Sequence, residues 1–206
     1  PEAVRAGANF RAADTITLTL WGDVGSPGAY SVNPRRSLRS VIEQEGAGPV
    51  PDIGMVFPNG AHSMPLTGSQ LDLPLDPAAL LAAGSGLGTA SILVLDAATS
   101  PFSILQSIAR FFERESCGQC PPCVLGAANL RQLVTGAGPA THRLTPRAAL
   151  QEAASFMSIH GYCAHARSGA AMVTQLFDRW SGLILDRLRS GSKVAGTHDR
   201  DPFAPD

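Results

Sequence analysis

The chain has 206 residues, 44% of them hydrophobic, which is enough to build one large or two small packed domains. Sixteen Lys and Arg stand against seventeen Asp and Glu, for a formal net charge of -1. That balance lacks the basic excess with which proteins hold nucleic acid or an anionic membrane surface, so neither is an expected partner.

The sequence opens at Pro1, and no basic stretch followed by an apolar run precedes the first strand-like segment. No signal peptide is expected, and the chain is read as beginning at a cut boundary. Residues 1–14 are rich in Ala and Gly without a usable period and are read as a lead or linker. From Thr15 to Leu20 polar and apolar residues alternate, the pattern of a half-buried strand. Gly22, Asp23, Gly25, Pro27 and Gly28 then form a turn that returns the chain into Tyr30 and Val32 as the second arm of a hairpin. Ser37 can cap a short helix in which Leu38, Val41, Ile42 and Glu45 fall at helical spacing, ended by Gly46 and Gly48. A strand over Ile53 to Phe57 follows.

The stretch Pro77 to Leu95 carries no charge and approaches the ~20 residues that cross a bilayer. Its Pro77, Gly84, Gly86, Gly88 and intervening Ser and Thr instead predict a helical turn, a glycine loop and a buried strand at Ile92–Leu95. No direct membrane insertion is expected. The loop glycines do not follow the spacing of a phosphate-binding turn, and no lysine follows them. Residues 15–98 are therefore read as a small β-grasp-like domain, one helix covering one face of a sheet.

At Pro101 the period changes to that of a helix, with Ser100 as cap, Pro101 in the first turn, and Ile104, Leu105, Ile108, Phe111 and Phe112 on one stripe. Further helices are predicted from about Pro122 to Leu133, from Pro146 to about Ile159 behind a Thr145 cap, and from Ser168 to about Arg189. Residues 99–189 thus predict a four-helix bundle. Residues 190–206 are polar, rich in Gly, Asp and Pro, and are expected to form a disordered tail. The fold class is α+β.

The chemistry lies in four cysteines. Cys117, Cys120 and Cys123 are separated by two residues each, and Cys163 lies far along the chain, so a single site would use every cysteine. Two-residue gaps let successive thiolates converge on the corners of one iron–sulfur cubane, with the fourth ligand supplied by another element. Gly118 permits a tight turn beside the first ligand, and Pro121 and Pro122 hold the chain extended before the next helix. With Pro122 at the first helical position, Cys123 would sit in a first turn whose amides and dipole favour an anionic cluster. Other uses of four cysteines stay open: a disulfide framework, a zinc site, or a cluster that staples the fold without moving electrons. The first needs an oxidising compartment, and the second usually shows two separated pairs.

His160 and His165 flank Cys163 and are read as neighbours of the ligands or as packing residues, and His142 as a solvated loop histidine. Asp72 and Asp76 show no pairing with a histidine or nucleophile and are read as turn residues, so no catalytic residue is predicted.

The segments Glu115-Ser116-Cys117-Gly118-Gln119-Cys120-Pro121-Pro122-Cys123 and Tyr162-Cys163-Ala164-His165 resemble the C-terminal half of the flavoprotein subunit of NADH:quinone oxidoreductase, respiratory complex I. Related subunits of NAD-linked formate dehydrogenases and hydrogenases share that half. Trp21 to Gly28 is similar to the opening hairpin of the family's soluble-ligand-binding β-grasp domain, and Ala83 to Asp96 to the segment that ends it. The resemblance implies that Cys117, Cys120, Cys123 and Cys163 hold one 4Fe-4S cluster that takes electrons from reduced FMN and sends them onward. It implies partners, namely an FMN/NADH-binding domain or subunit and further iron–sulfur subunits, and a cytoplasmic location, peripheral to the inner membrane through those subunits. The chain departs from the family in two ways. Val124 stands where an arginine usually follows the third cysteine, and the glycine-rich half that holds FMN and NAD is not in this sequence. NADH oxidation by these residues alone is not expected.

Overall fold

The computed structural model describes residues 15–47, 52–136, 145–190 and 201–204. The chain divides into two units between Ala98 and Thr99.

The first unit holds a four-stranded mixed sheet in the order β2-β1-β4-β3. Strand β1 (Ile16–Gly22) pairs antiparallel with β2 (Gly28–Val32), in a register that sets Leu18 opposite Tyr30. It also pairs parallel with β4 (Ser91–Asp96), Leu20 opposite Ile92. Strand β3 (Ile53–Phe57) lies antiparallel on the outer side of β4, with a register shift between Ile53 and Met55. Alternation along β1 sends Leu18 and Leu20 to one face, where Ile92 and Val94 join them. Helix α1 (Leu38–Glu45) closes that face with Leu38, Val41 and Ile42. Ser37 caps it by accepting from the Ser40 amide at 3.2 Å. Glu45, expected on the same stripe, pairs with Arg36 at 2.6 Å, because a carboxylate at the edge of the core is held by a guanidinium rather than buried.

The charge-free stretch resolves into helix α2 (Pro77–Ala82), a glycine-bearing turn and β4, and Ile92–Leu95 are all buried. Asp76 caps α2 by accepting from the amides of Ala78 and Ala79, and Asp72 pairs with Arg39 at 2.7 Å. Among the described residues no helix is long and apolar enough to cross a membrane.

The second unit is helical: α3 (Pro101–Arg114), α4 (Pro121–Thr135), α5 (Pro146–His160), α6 (Ala164–Arg179) and α7 (Ser181–Ser190). Helix α3 packs on α4 and α6, and α5 lies between α4 and α6. The core comes from Ile104, Leu105, Ile108 and Phe112 of α3, Leu130 and Val134 of α4, Leu150 and Met157 of α5, and Val173, Leu176 and Phe177 of α6. Ser100 and Thr145 cap α3 and α5 as expected, each with proline in the first turn.

Three expectations are corrected. The segment predicted as one helix from Ser168 to Arg189 starts earlier, at Ala164, and is broken at Trp180 (φ -121, ψ 31). Ser181 and Gly182, which open α7 after the break, are weak helix formers, so little is lost by interrupting the helix just before them. The described residues of this unit accordingly form five helices rather than four. Phe111, expected on the buried stripe with Phe112, is only half-buried and meets Phe112 edge-on, ring centroids 5.3 Å apart. Part of the segment expected to be disordered is placed: residues 201–204 form a turn in which Phe203 is buried against the Phe111 ring, 5.6 Å between centroids. The ring contact, the Arg114 bond to the Phe203 carbonyl and the Arg110–Asp201 pair together hold this turn. The rest of that segment, the lead at 1–14 and His142 lie outside the described residues.

Candidate metal centre

The ligand loop leaves the end of α3, and the last residues of that helix are tied one by one to the elements that follow. Glu115 ends α3, its amide donating to the Phe111 carbonyl at 2.9 Å. The Phe112 carbonyl, one of those a helix C-terminus leaves without an internal partner, accepts from Nε2 of His165 on α6 at 3.0 Å. A carbonyl can only accept, so the proton sits on Nε2. The imidazole also lies against the Phe112 ring, 5.0 Å between centroids. Glu113 forms an ion pair with Arg131 of α4. Arg114 bonds Glu115 at 2.8 Å and donates to the Phe203 carbonyl at 2.5 Å. One helix end is thereby fastened to α4 and to α6, the two helices that begin at cysteines.

Gly118, at φ +77, makes the turn that an L side chain would strain, and a Cβ there would meet nothing within 4 Å. The requirement is for the backbone conformation, not for space. Cys120 is the N-cap of α4, extended at φ -125 and ψ 119, and its carbonyl accepts from the amides of Cys123 at 3.0 Å and Val124 at 3.2 Å. Helix α4 starts one residue earlier than expected, with Pro121 and Pro122 both in its first turn. Neither proline has an N–H, and the Cys123 amide is already used, so this turn offers the ligand site its dipole but no free amide from its first three positions. The expectation of unpaired amides there is corrected.

Cys163 is the N-cap of α6, and its side chain makes no capping bond. The first turn of α6 is Ala164, His165 and Ala166, all with amides. Two of the four cysteines are therefore helix N-caps, and a third lies in the first turn of one of those helices.

Cys120 and Cys123 are each 3% exposed, whereas Cys117 and Cys163 are exposed, and all four are free thiols. Burial pushes the Cys123 thiol above its ordinary range. A hydrogen bond from Ser116 opposes that rise, and neighbouring Cys120 and Cys163 add to it. Cys120 and Cys123 lie together at the start of α4, and Cys163 opens α6. Cys117 lies at the outer edge of the loop. His165 is engaged with α3, and His160 is exposed at the end of α5, stacked on Phe156 at 5.4 Å, so neither completes the thiol group.

The donor set is four soft sulfurs with no oxygen or imidazole among them, which suits iron held as a cluster. Among the described residues no three His, Cys, Asp or Glu side chains gather as around a single metal ion. By the chemistry of their donor atoms the four cysteines fit such a cluster.

Two features of the site were missed in the sequence. The Oγ of Ser116 lies 3.5 Å from Sγ of Cys123. Its position beside the first ligand was visible, but its turn back toward the third was not. Close in sequence to Cys123 and Cys163, large apolar side chains are left in solvent: Val124, Leu125, Ile159 and Tyr162, the last at 79% exposure.

Residues 103–187, which contain all four cysteines, match the NADH-ubiquinone oxidoreductase-F iron-sulfur binding region. The match lies within the helical unit. The chain fits the C-terminal part of the family's flavoprotein subunit. It is 35% identical over 125 residues to the NADH-quinone oxidoreductase F 2 subunit of Rhizobium meliloti (strain 1021), a match covering 58% of this chain and 30% of that protein. It is 28% identical over 207 residues to the mitochondrial NADH-ubiquinone oxidoreductase 51 kDa subunit of Aspergillus niger, covering 95% of this chain and 42% of that one. Among solved structures, a chain of an air-oxidized NAD+-reducing [NiFe]-hydrogenase superposes on 84% of this chain with a TM-score of 0.65 and 25% identity, over 30% of its own length. The chain therefore spans well under half the length of these F-family relatives. Its sheet unit lies outside the matched iron–sulfur region, whereas α3 to α6 lie within it almost entirely.

Proposed function

We propose that this chain is the electron-relay part of an NADH:acceptor oxidoreductase, with Cys117, Cys120, Cys123 and Cys163 holding one 4Fe-4S cluster. The observation that carries the reading is the placement of Cys120 and Cys163 as N-caps of two helices that are each tied to the end of α3, α6 at its start through His165 and α4 farther along through Arg131. When bound, the cluster supplies a site that accepts and releases one electron at a time. The protein's own part is to fix the ligands: the Glu113–Arg131 pair ties the body of α4 to the end of α3, and His165 holds the start of α6. Cys120 and Cys123 give the site a dry side, and the exposed Cys117 and Cys163 give it a side open to a donor or acceptor.

FMN and NAD are proposed to sit on another domain or on a partner subunit, with further iron–sulfur subunits as acceptors and a peripheral place on the cytoplasmic side of the inner membrane. The names of the F-family relatives support that assembly. The sheet unit is proposed to be the soluble-ligand-binding β-grasp domain, supported by its order β2-β1-β4-β3 and by α1 on one face. The helical unit is proposed to be a bundle built on α3 to α6, with α7 appended.

The test is anaerobic reconstitution with iron and sulfide, followed by metal analysis, visible absorption and EPR after dithionite. A thiolate-to-iron charge-transfer band and a signal that appears on reduction and vanishes on reoxidation are expected. A protein that takes up zinc but no iron, or a cluster that dithionite leaves silent, would mean a scaffold and not a relay.

A further inference from the structure

Ser116 serves no purpose as a helix cap. Its amide donates to the Glu113 carbonyl at 3.3 Å, which already ends α3, and its side chain turns away from that helix to lie 3.5 Å from Sγ of Cys123. As free groups, either atom could give the hydrogen. A thiolate bound to iron has no proton, so in the loaded protein the hydroxyl is the donor. The contact is sheltered, since Ser116 is half-buried and Cys123 is 3% exposed, which keeps water from competing for the sulfur.

We propose that Ser116 is a positioning residue that raises the reduction potential of the cluster by donating a hydrogen bond to the Cys123 sulfur. This rests on the cluster reading above. The one-electron reduction takes its electron from an external reductant and adds one negative charge to the ligand set, with no bond made or broken in the protein. A donor aimed at one sulfur draws charge from it and favours the more negative state, the direction in which hydrogen bonds to cluster sulfurs act. In the family's arrangement the arginine after the third cysteine would supply positive charge; here Val124 supplies none, so the hydroxyl is a donor that remains at this ligand.

The experiment is a redox titration followed by EPR on the reconstituted full chain and on Ser116→Ala, Ser116→Gly and Ser116→Thr. The expected result is equal iron content in all four, a more negative midpoint potential in the Ala and Gly variants, and a return toward the wild-type value in the Thr variant, which keeps a hydroxyl. Equal potentials in all four overturn the role of Ser116 and leave the electron-relay reading standing. Loss of iron from both Ala and Gly variants also overturns it, because the residue would then hold the cluster rather than set its potential. A wild-type chain that binds no iron overturns both readings together.

Discussion

Gly126 of α4 lies so close to Met157 of α5 that a Cβ built on the glycine would stand 2.7 Å from the methionine Cβ. Gly169 of α6 is similarly pressed, its built Cβ falling 2.8 Å from the Phe112 ring. These contacts set how closely α4 meets α5 and how closely α6 meets α3. Alanine raises helix propensity by up to about 1 kcal/mol over glycine, but overpacking a close contact costs about 1–3 kcal/mol. The neighbour of Gly126 is a Cβ, not the far end of a flexible chain, so the contact wins. Gly126→Ala is expected to lower stability to urea by about 1–2 kcal/mol. An Ala variant more stable than wild type would show that the helices can part without loss.

Much of this was legible in the sequence, for reasons that can be named residue by residue. Ser37, Ser100 and Thr145 announce helices because each is a hydroxyl followed by residues that favour a first turn, and all three cap as expected. The iron–sulfur character of the segment was legible because cysteine spacing is a local property, and the matched region contains all four cysteines. Contacts that depend on where helices meet were not. Nothing near Phe203 in sequence says that Phe111 waits for it, and nothing near His165 points to the Phe112 carbonyl. The break at Trp180 had a signal in Ser181 and Gly182, hidden by apolar residues that continue the stripe past it. The double proline of α4 could be read as a helix start, yet its effect on the amides needed the register that places Pro121 first.

His165 links a ligand-bearing helix to α3. Replacing it with alanine leaves the Phe112 carbonyl without this donor and removes a ring contact, a loss of about 1–3 kcal/mol. His165→Gln can restore a donor without the ring and should fall between. Release of iron to a chelator should be fastest in the Ala variant and intermediate in Gln. Identical release from all three proteins would show that the bond does not hold Cys163 in place.

Phe203 is 8% exposed and sits beside Arg114, which also holds Glu115 two residues before Cys117. Burying a phenylalanine is worth roughly 1.5–3 kcal/mol, and ordering the end of the chain offsets part of that. Phe203→Ala is expected to lower the thermal midpoint by a few degrees and to make residues 201–204 exchange their amide hydrogens at the rate of free peptide. Protection unchanged from wild type would mean that the ring is not what anchors the turn.

Cys163→Ser replaces the one proposed ligand that comes from outside the loop. The three remaining thiols cannot complete a four-thiolate set, so iron per chain and charge-transfer absorption should drop sharply. The same substitution leaves the helix start intact, because serine is a favoured N-cap. Circular dichroism should therefore match wild type. Full iron content in this variant would remove Cys163 from the site.

Val124 follows Cys123 and is 39% exposed, so an arginine there meets no packing obstacle in the helical unit. A cation in the first turn opposes the helix dipole, at a cost below about 1 kcal/mol. Toward an anionic cluster the same charge acts favourably, and more strongly after reduction than before it, so the midpoint potential of Val124→Arg should rise. Screening supplies the control: a shift caused by a solvent-exposed charge shrinks as salt increases, because the Debye length falls from about 10 Å at 0.1 M to about 3 Å at 1 M. The measurement is a redox titration of both proteins at low and high salt. A potential that does not move at low salt would show that the position after the third cysteine is electrostatically remote from the cluster, and that valine there carries no consequence for electron transfer.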